Sequence, residues 1–133
     1  LAEKRPEYPV VRAMSGVGDV LAPLLVAEVG DPRRYHSGDA LIACIGIDVP
    51  PYESGQLKAS ERRITRKGSK QLRKLGYLLV KNLKRIKPTQ DAAVYDYYLK
   101  KIAEGKKDKQ AIVAGMNKFF RIYYARAMEA YRS

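Results

Sequence analysis

A mainly α-helical domain is what this sequence predicts, and three observations predict it. Leu72, Leu75, Leu79, Leu83 and Ile86 recur three and four residues apart, the repeat of one buried helix face. Ile112, Met116, Phe119 and Tyr123 repeat that spacing near the end of the chain. Between the periodic segments stand Gly16-Val17-Gly18, Gly30-Asp31-Pro32 and Pro88-Thr89, the punctuation of helix ends and turns. At 133 residues the chain has the size of a single domain, residues 1–133. Its balance of 46% hydrophobic to 30% charged residues argues against wholesale disorder.

In chain order, Leu1-Ala2-Glu3-Lys4-Arg5 reads as the end of a helix begun upstream, so a fragment of a longer protein is expected. Residues 8–13 are expected to be a short helix or the end of one, which Gly16 and Gly18 break. Asp19 then serves as N-cap or first-turn residue of a helix over Val20–Val29, with Leu21, Leu24 and Leu25 on one face. Pro23 is expected in its first turn, where the missing amide costs nothing. Ser37 caps a third helix that Gly46 ends. With Pro50, Pro51 and Gly55 and no helical period, residues 47–67 are expected to be a loop, with a short β-hairpin pairing Gln56–Lys58 and Arg63–Thr65. The helical bundle proper is expected over 69–131: a long helix after Gly68, a second capped by Thr89 with Asp91 in its first turn, and a third from about Asp108 to Tyr131. In the second of these, Val94, Tyr98 and Ile102 mark the buried stripe.

Several function classes fall away on composition. One cysteine, Cys44, excludes an internal disulfide or a Cys-rich zinc site and fits a reducing cytoplasm. One histidine, His36, excludes a catalytic histidine pair and the HExxH metal motif. A membrane span needs roughly 20 apolar residues, and no run approaches that. Ten tyrosines raise the question of a tyrosine recombinase. The arginine–histidine cluster that such an enzyme needs is missing, and Tyr97, Tyr98, Tyr123 and Tyr124 fall at helical spacings that suit core packing.

What remains is charge. The net charge is +12, and residues 56–87 alone hold +11 of it. Twelve lysines and arginines there, among them Arg62, Arg63, Arg66, Lys67, Lys70, Arg73 and Lys74, face a single acid, Glu61. Such a concentration is the electrostatic footprint of a nucleic-acid partner. Six phosphate contacts would give log affinity a slope of roughly −5 against log salt. The basic helix needs its apolar face to close a core in so small a domain, so a membrane partner is not expected.

Gly16-Val17-Gly18 adds a second indication. Two glycines allow a tight turn, and amides at the start of the following helix can meet a phosphate oxygen. Residues 10–30 are in this respect similar to a helix-hairpin-helix element, which reads the DNA backbone and not its bases.

The order of five motifs is more specific than any one of them: Met14-Ser15-Gly16-Val17-Gly18; Leu24-Leu25-Val26-Ala27-Glu28-Val29-Gly30-Asp31; Leu41-Ile42-Ala43-Cys44-Ile45-Gly46-Ile47; Ser54-Gly55; and Ile64-Thr65-Arg66-Lys67-Gly68 followed by Leu72-Arg73. Over residues 10–87 the series resembles the C-terminal domain of the insertion-sequence-110 transposases, a group also described with the 116 and 902 insertion sequences. The resemblance implies a DNA recombinase, with Ser54 as the nucleophile on a DNA phosphate and an N-terminal RuvC-like domain, outside this chain, holding a divalent metal such as magnesium. It also implies DNA as partner, an element-encoded structured RNA in some members, a homo-oligomer, and a place at the bacterial or archaeal nucleoid in the cytoplasm. No cofactor is expected on this segment alone, nor cleavage by it alone. The family commonly has proline at the position of Ser15, glutamine at that of Glu53, and Ser-Lys-Arg-Gly where this chain reads Thr65-Arg66-Lys67-Gly68.

The chemistry is coherent with that role. A serine hydroxyl needs a base or metal to become a good nucleophile. No histidine lies near Ser54 in sequence, so metal held elsewhere is the expected activator. Arg62, Arg63, Arg66 and Lys67 can offset charge on a phosphate. Ser60 and Ser69 are rival hydroxyls. The alternative is a non-catalytic helix-hairpin-helix module in which Ser54 is a loop residue.

Overall fold

The computed structural model describes residues 1–46 and 56–132, with 56–69 as backbone only. Among them are six α-helices: α1 (Tyr8–Arg12), α2 (Gly18–Val29), α3 (Gly38–Ile45), α4 (Gln56–Ile86), α5 (Ala93–Ala103) and α6 (Asp108–Arg132). The class is mainly α, as the sequence predicts.

Local chemistry accounts for most boundaries. The Ser37 hydroxyl accepts from the Ala40 amide at 3.2 Å and starts α3. Gly46, left-handed at φ 82°, ends it. The α4 carbonyls run out at Lys87 and Pro88, and Lys87 itself takes a positive φ of 48°.

Four expectations are corrected. Of the loop and β-hairpin expected over residues 47–67, residues 47–55 lie outside the described residues, and from Gln56 onward the chain is helix α4. Leu57, Lys58, Ala59, Glu61, Arg62 and Arg63 are strong helix formers, and together they outweigh the β-branched pair Ile64-Thr65 and Gly68. Pro23 lies one full turn inside α2, which starts at Gly18, so the Asp19 carbonyl forfeits its helical donor. Thr89 does not cap α5; Ala92 occupies that position with no side-chain cap, and Asp91 stands outside the first turn in a left-handed conformation. Leu24, Ile86 and Ile102, expected on buried stripes, are exposed. Leu24 shares its side of α2 with exposed Val20, while Ile86 ends α4 and Ile102 lies in the last turn of α5.

The core is built around α4 and α6. Leu72, Leu75, Leu79, Val80 and Leu83 of α4 are buried, as are Ile112, Met116, Phe119, Phe120 and Tyr123 of α6. At Gly76 the two helices come close together. A Cβ there would stand 2.8 Å from the Phe120 ring and 3.2 Å from Met116. Gly115 answers it, lying against Val80. Helix α6 also packs on α3 and α5, while α1 joins α2 to α6. At that last junction the fully buried Glu7 carboxylate accepts from the Tyr131 hydroxyl at 2.8 Å.

Candidate nucleic-acid interface

The hairpin is seated on α4. Gly16 takes φ 85° and Gly18 φ 64°, conformations that L side chains rarely adopt. Space closes Gly16 as well as torsion, since a Cβ would meet Leu79 and Leu83 at 3.0 Å. Val17 between them is buried and holds the turn to the core. Asn82 of α4 donates from Nδ2 to the Gly16 carbonyl at 3.1 Å.

A second clasp comes from the α4–α5 connection. The Ser15 hydroxyl donates to the Gln90 carbonyl at 2.9 Å, and the Ser15 amide donates to Asp91 Oδ2 at 3.2 Å. Asp91 also accepts two bonds from the Arg126 guanidinium of α6, at 2.6 and 2.9 Å. A proline in place of Ser15 could make neither of the serine's bonds. Arg126 holds the Asp91 carboxyl below the ordinary carboxylate range, with the Ser15 amide helping. A lowered carboxyl contributes stability above its unfolded pKa, roughly 3.9, and loses it as pH falls through the folded value. Asp91→Asn is therefore expected to cost about 1 kcal/mol at neutral pH. Urea titrations should show that deficit shrinking as pH falls below the ordinary aspartate range, where wild type protonates too.

Beside the hairpin lies a groove bounded by Gly16 to Leu21 and by Leu78, Asn82, Arg85 and Ile86. The Gly18, Asp19 and Val20 amides open α2, so no carbonyl one turn back is there to take them. Asp19 is acidic at this end, but the Arg12 guanidinium pairs with it. Val20, Leu24, Leu78 and Ile86 are exposed nearby.

Along the same side of α4 run Lys70, Lys74, Tyr77, Lys81 and Arg85, all exposed. Spacings of four, three, four and four keep them in one stripe, and Arg85 borders the groove. Lys70 and Lys74 are thus where the sequence puts them. Arg73 is not on this stripe: its Nη1 donates to the Ile45 carbonyl at 3.0 Å, holding the C-terminus of α3. Arg62, Arg63, Arg66 and Lys67 lie on α4, their side chains outside the described residues. Ser54 lies outside the described residues too.

Lysine 84 turns the other way, ion-paired with Asp108 of α6 at 3.0 Å and 5.4 Å from the Tyr98 ring centroid. The Asp108 hydrogen bond raises its pKa. Sequence reasoning missed Asn82 and Asp91 as hairpin supports. An amide between Leu79 and Leu83 was the available signal for Asn82; for Asp91 there was none, because its partners come from both ends of the chain.

Among the described residues, no group of three or more His, Cys, Asp or Glu side chains is placed to hold a metal ion. No described helix is long and apolar enough to cross a membrane.

A family model described as "Transposase IS116/IS110/IS902 family" matches residues 8–96. The chain is 32% identical over 106 residues to the "Insertion element IS116 uncharacterized 44.8 kDa protein" of Streptomyces clavuligerus. That alignment covers 79% of this chain and 25% of the relative, so the chain spans about a quarter of the curated protein it matches. No solved structure matches it significantly.

Proposed function

Because the chain belongs to the IS116/IS110/IS902 transposase family, we propose that it is the segment of such an enzyme that holds DNA and supplies the attacking serine, Ser54. The observation that supports this most is the placement of two phosphate-binding devices on one helix, α4, inside the span that the family match covers. One is the Gly16-Val17-Gly18 hairpin with its open α2 amides; the other is the stripe of Lys70, Lys74, Lys81 and Arg85. Both grip phosphates without reading bases.

In this reading Ser54 Oγ attacks a DNA phosphorus. An Oγ–P bond forms as one P–O bond of the strand breaks, the serine proton passes to a base, and the departing oxygen is protonated. Arg62, Arg63, Arg66 and Lys67 offset the charge that builds on the phosphate. Carboxylates of an N-terminal domain outside this chain would hold a divalent metal, which would supply Lewis-acid activation of the serine. An element-encoded RNA and further protomers are partners of the whole enzyme in this proposal. The segment is inactive by itself.

The binding half is tested without the rest of the enzyme. Lys70→Gln with Lys74→Gln is expected to weaken duplex binding and to lower the log–log salt slope by roughly 2, about 0.9 per lost contact. Fluorescence anisotropy with unrelated duplexes reads both quantities, and the loss should not depend on sequence. Neutralising Arg62 and Arg63 is expected to act in the same direction. An unchanged slope would place the DNA elsewhere.

A further inference from the structure

Nearly all the net charge falls in residues 56–87, yet the remainder is not uniformly neutral. Residues 1–55 hold eight acids and five bases, whereas residues 97–121 hold seven lysines and arginines and two acids. The excess gathers at a groove of about 510 Å³ between α5 and α6, bounded by Tyr97, Lys101, Lys106, Gln110, Asn117 and Arg121. Among the described residues, no carboxylate lines it.

Tyr97, Asn117 and Arg121 line both this groove and a smaller cleft beside it, which Lys118 also borders. The Lys101 ammonium lies 5.0 Å from the Tyr97 ring centroid and that of Lys118 5.4 Å. Lys101 is drawn partly to Glu104, at 3.3 Å, and Arg121 is paired with Asp39 of α3. Two of the groove's cations, Lys101 and Arg121, are therefore steadied by ion pairs.

We propose that the α5–α6 groove binds an unpaired nucleic-acid strand, through phosphates on Lys101, Lys106 and Lys118 and a base against Tyr97. Cations around an aromatic ring in a trough are the composition of single-strand sites. The trough's width favours a strand over a duplex, because packed helices run only about 8–10 Å apart. This goes beyond the hairpin surface, and the two grooves share no residue and no helix. Helix α6 turns Met116, Phe119, Phe120 and Tyr123 into the core. It turns Ala114, Asn117 and Arg121 the other way, so its own core face stands between this groove and α4. Tyr97 and everything after it also lie beyond the family match, which ends at residue 96.

Fluorescence anisotropy of this chain with labelled oligo(dT) and with a labelled duplex decides the matter. Lys101→Gln with Lys118→Gln is expected to weaken oligo(dT) at least tenfold and to lower its salt slope by roughly 1.4, about 0.7 per contact on single strands. Tyr97→Leu is expected to weaken oligo(dT) about tenfold with the salt slope retained, because stacking releases no counterions. Duplex affinity is expected to hold within twofold in both variants, with melting curves confirming the fold. Wild-type affinity of the lysine variant for oligo(dT), or equal losses on oligo(dT) and duplex, would overturn the proposal. Loss of duplex binding in the Lys70/Lys74 variant with oligo(dT) binding intact supports it. The converse failure, duplex binding that ignores Lys70 and Lys74, refutes the hairpin reading and leaves this one standing.

Discussion

Replacing Ser54 by alanine in a full-length transposase carrying this segment is expected to abolish strand exchange while leaving DNA affinity within about twofold. The asymmetry follows from what the change removes. One oxygen is lost, and with it the only bond that could link protein to phosphate in the proposed step. In the proposal the phosphate grip stays with Lys70, Lys74, Lys81, Arg85 and the hairpin amides, all of which the change leaves in place. Removing the nucleophile from a catalytic unit costs several powers of ten, whereas one neutral hydroxyl adds little to binding dominated by counterion release. Gel assays of exchange beside anisotropy of the same preparation separate the two. Trapping a covalent DNA adduct of the whole enzyme and mapping the modified residue by mass spectrometry gives the direct readout. Exchange that survives Ser54→Ala, or an adduct mapped to Ser60 or Ser69, would refute the assignment. Survival would leave the chain as a helix-hairpin-helix module without chemistry.

Phe120→Ala is expected to be the most destabilising of the core changes, by about 3–5 kcal/mol. The ring is fully buried, packs edge-on against Phe119 with centroids 5.1 Å apart, and fills the space that Gly76 leaves open. Glycine has no side chain with which to close the void, so relaxation of α4 toward α6 must come from backbone movement. A domain of this size is stable by only some 5–15 kcal/mol, so the melting temperature should fall by roughly 10–20 °C. Calorimetry reads it. A loss under 1 kcal/mol would mean that the α4–α6 contact is not the one described.

How far the sequence foretold this molecule follows from how local each signal is. Leu72, Leu75, Leu79 and Leu83 are buried because a three-four spacing needs nothing beyond its own helix to be read. Ser37 and Gly46 act within four residues, and both ends of α3 fell where they mark them. Residues 56–67 went the other way, since neighbouring Pro50, Pro51 and Gly55 drew the expected loop too far into a run of good helix formers. At the candidate interface, the glycine pair and the lysines were legible as types. The turning of Arg73 to the Ile45 carbonyl was not, because it depends on where α3 ends in space. The seating of Gly16 on Leu79 and Leu83 has the same origin: it joins positions more than sixty residues apart, and no local pattern carries such a pairing.

The bond from Tyr131 to Glu7 has a temporal consequence. On a ribosome, α1 emerges more than a hundred residues before the hydroxyl that donates to Oε1 of Glu7 at its N-terminal end. Until α6 arrives, Glu7 must remain in water and the first helix cannot settle. The hairpin waits on the same event, for Arg126 steadies the aspartate that clasps Ser15. A nascent chain halted before its last helix therefore holds both glycines of the proposed DNA-facing turn and their seat on α4, but lacks the Arg126 brace on Asp91 until synthesis of α6 is completed.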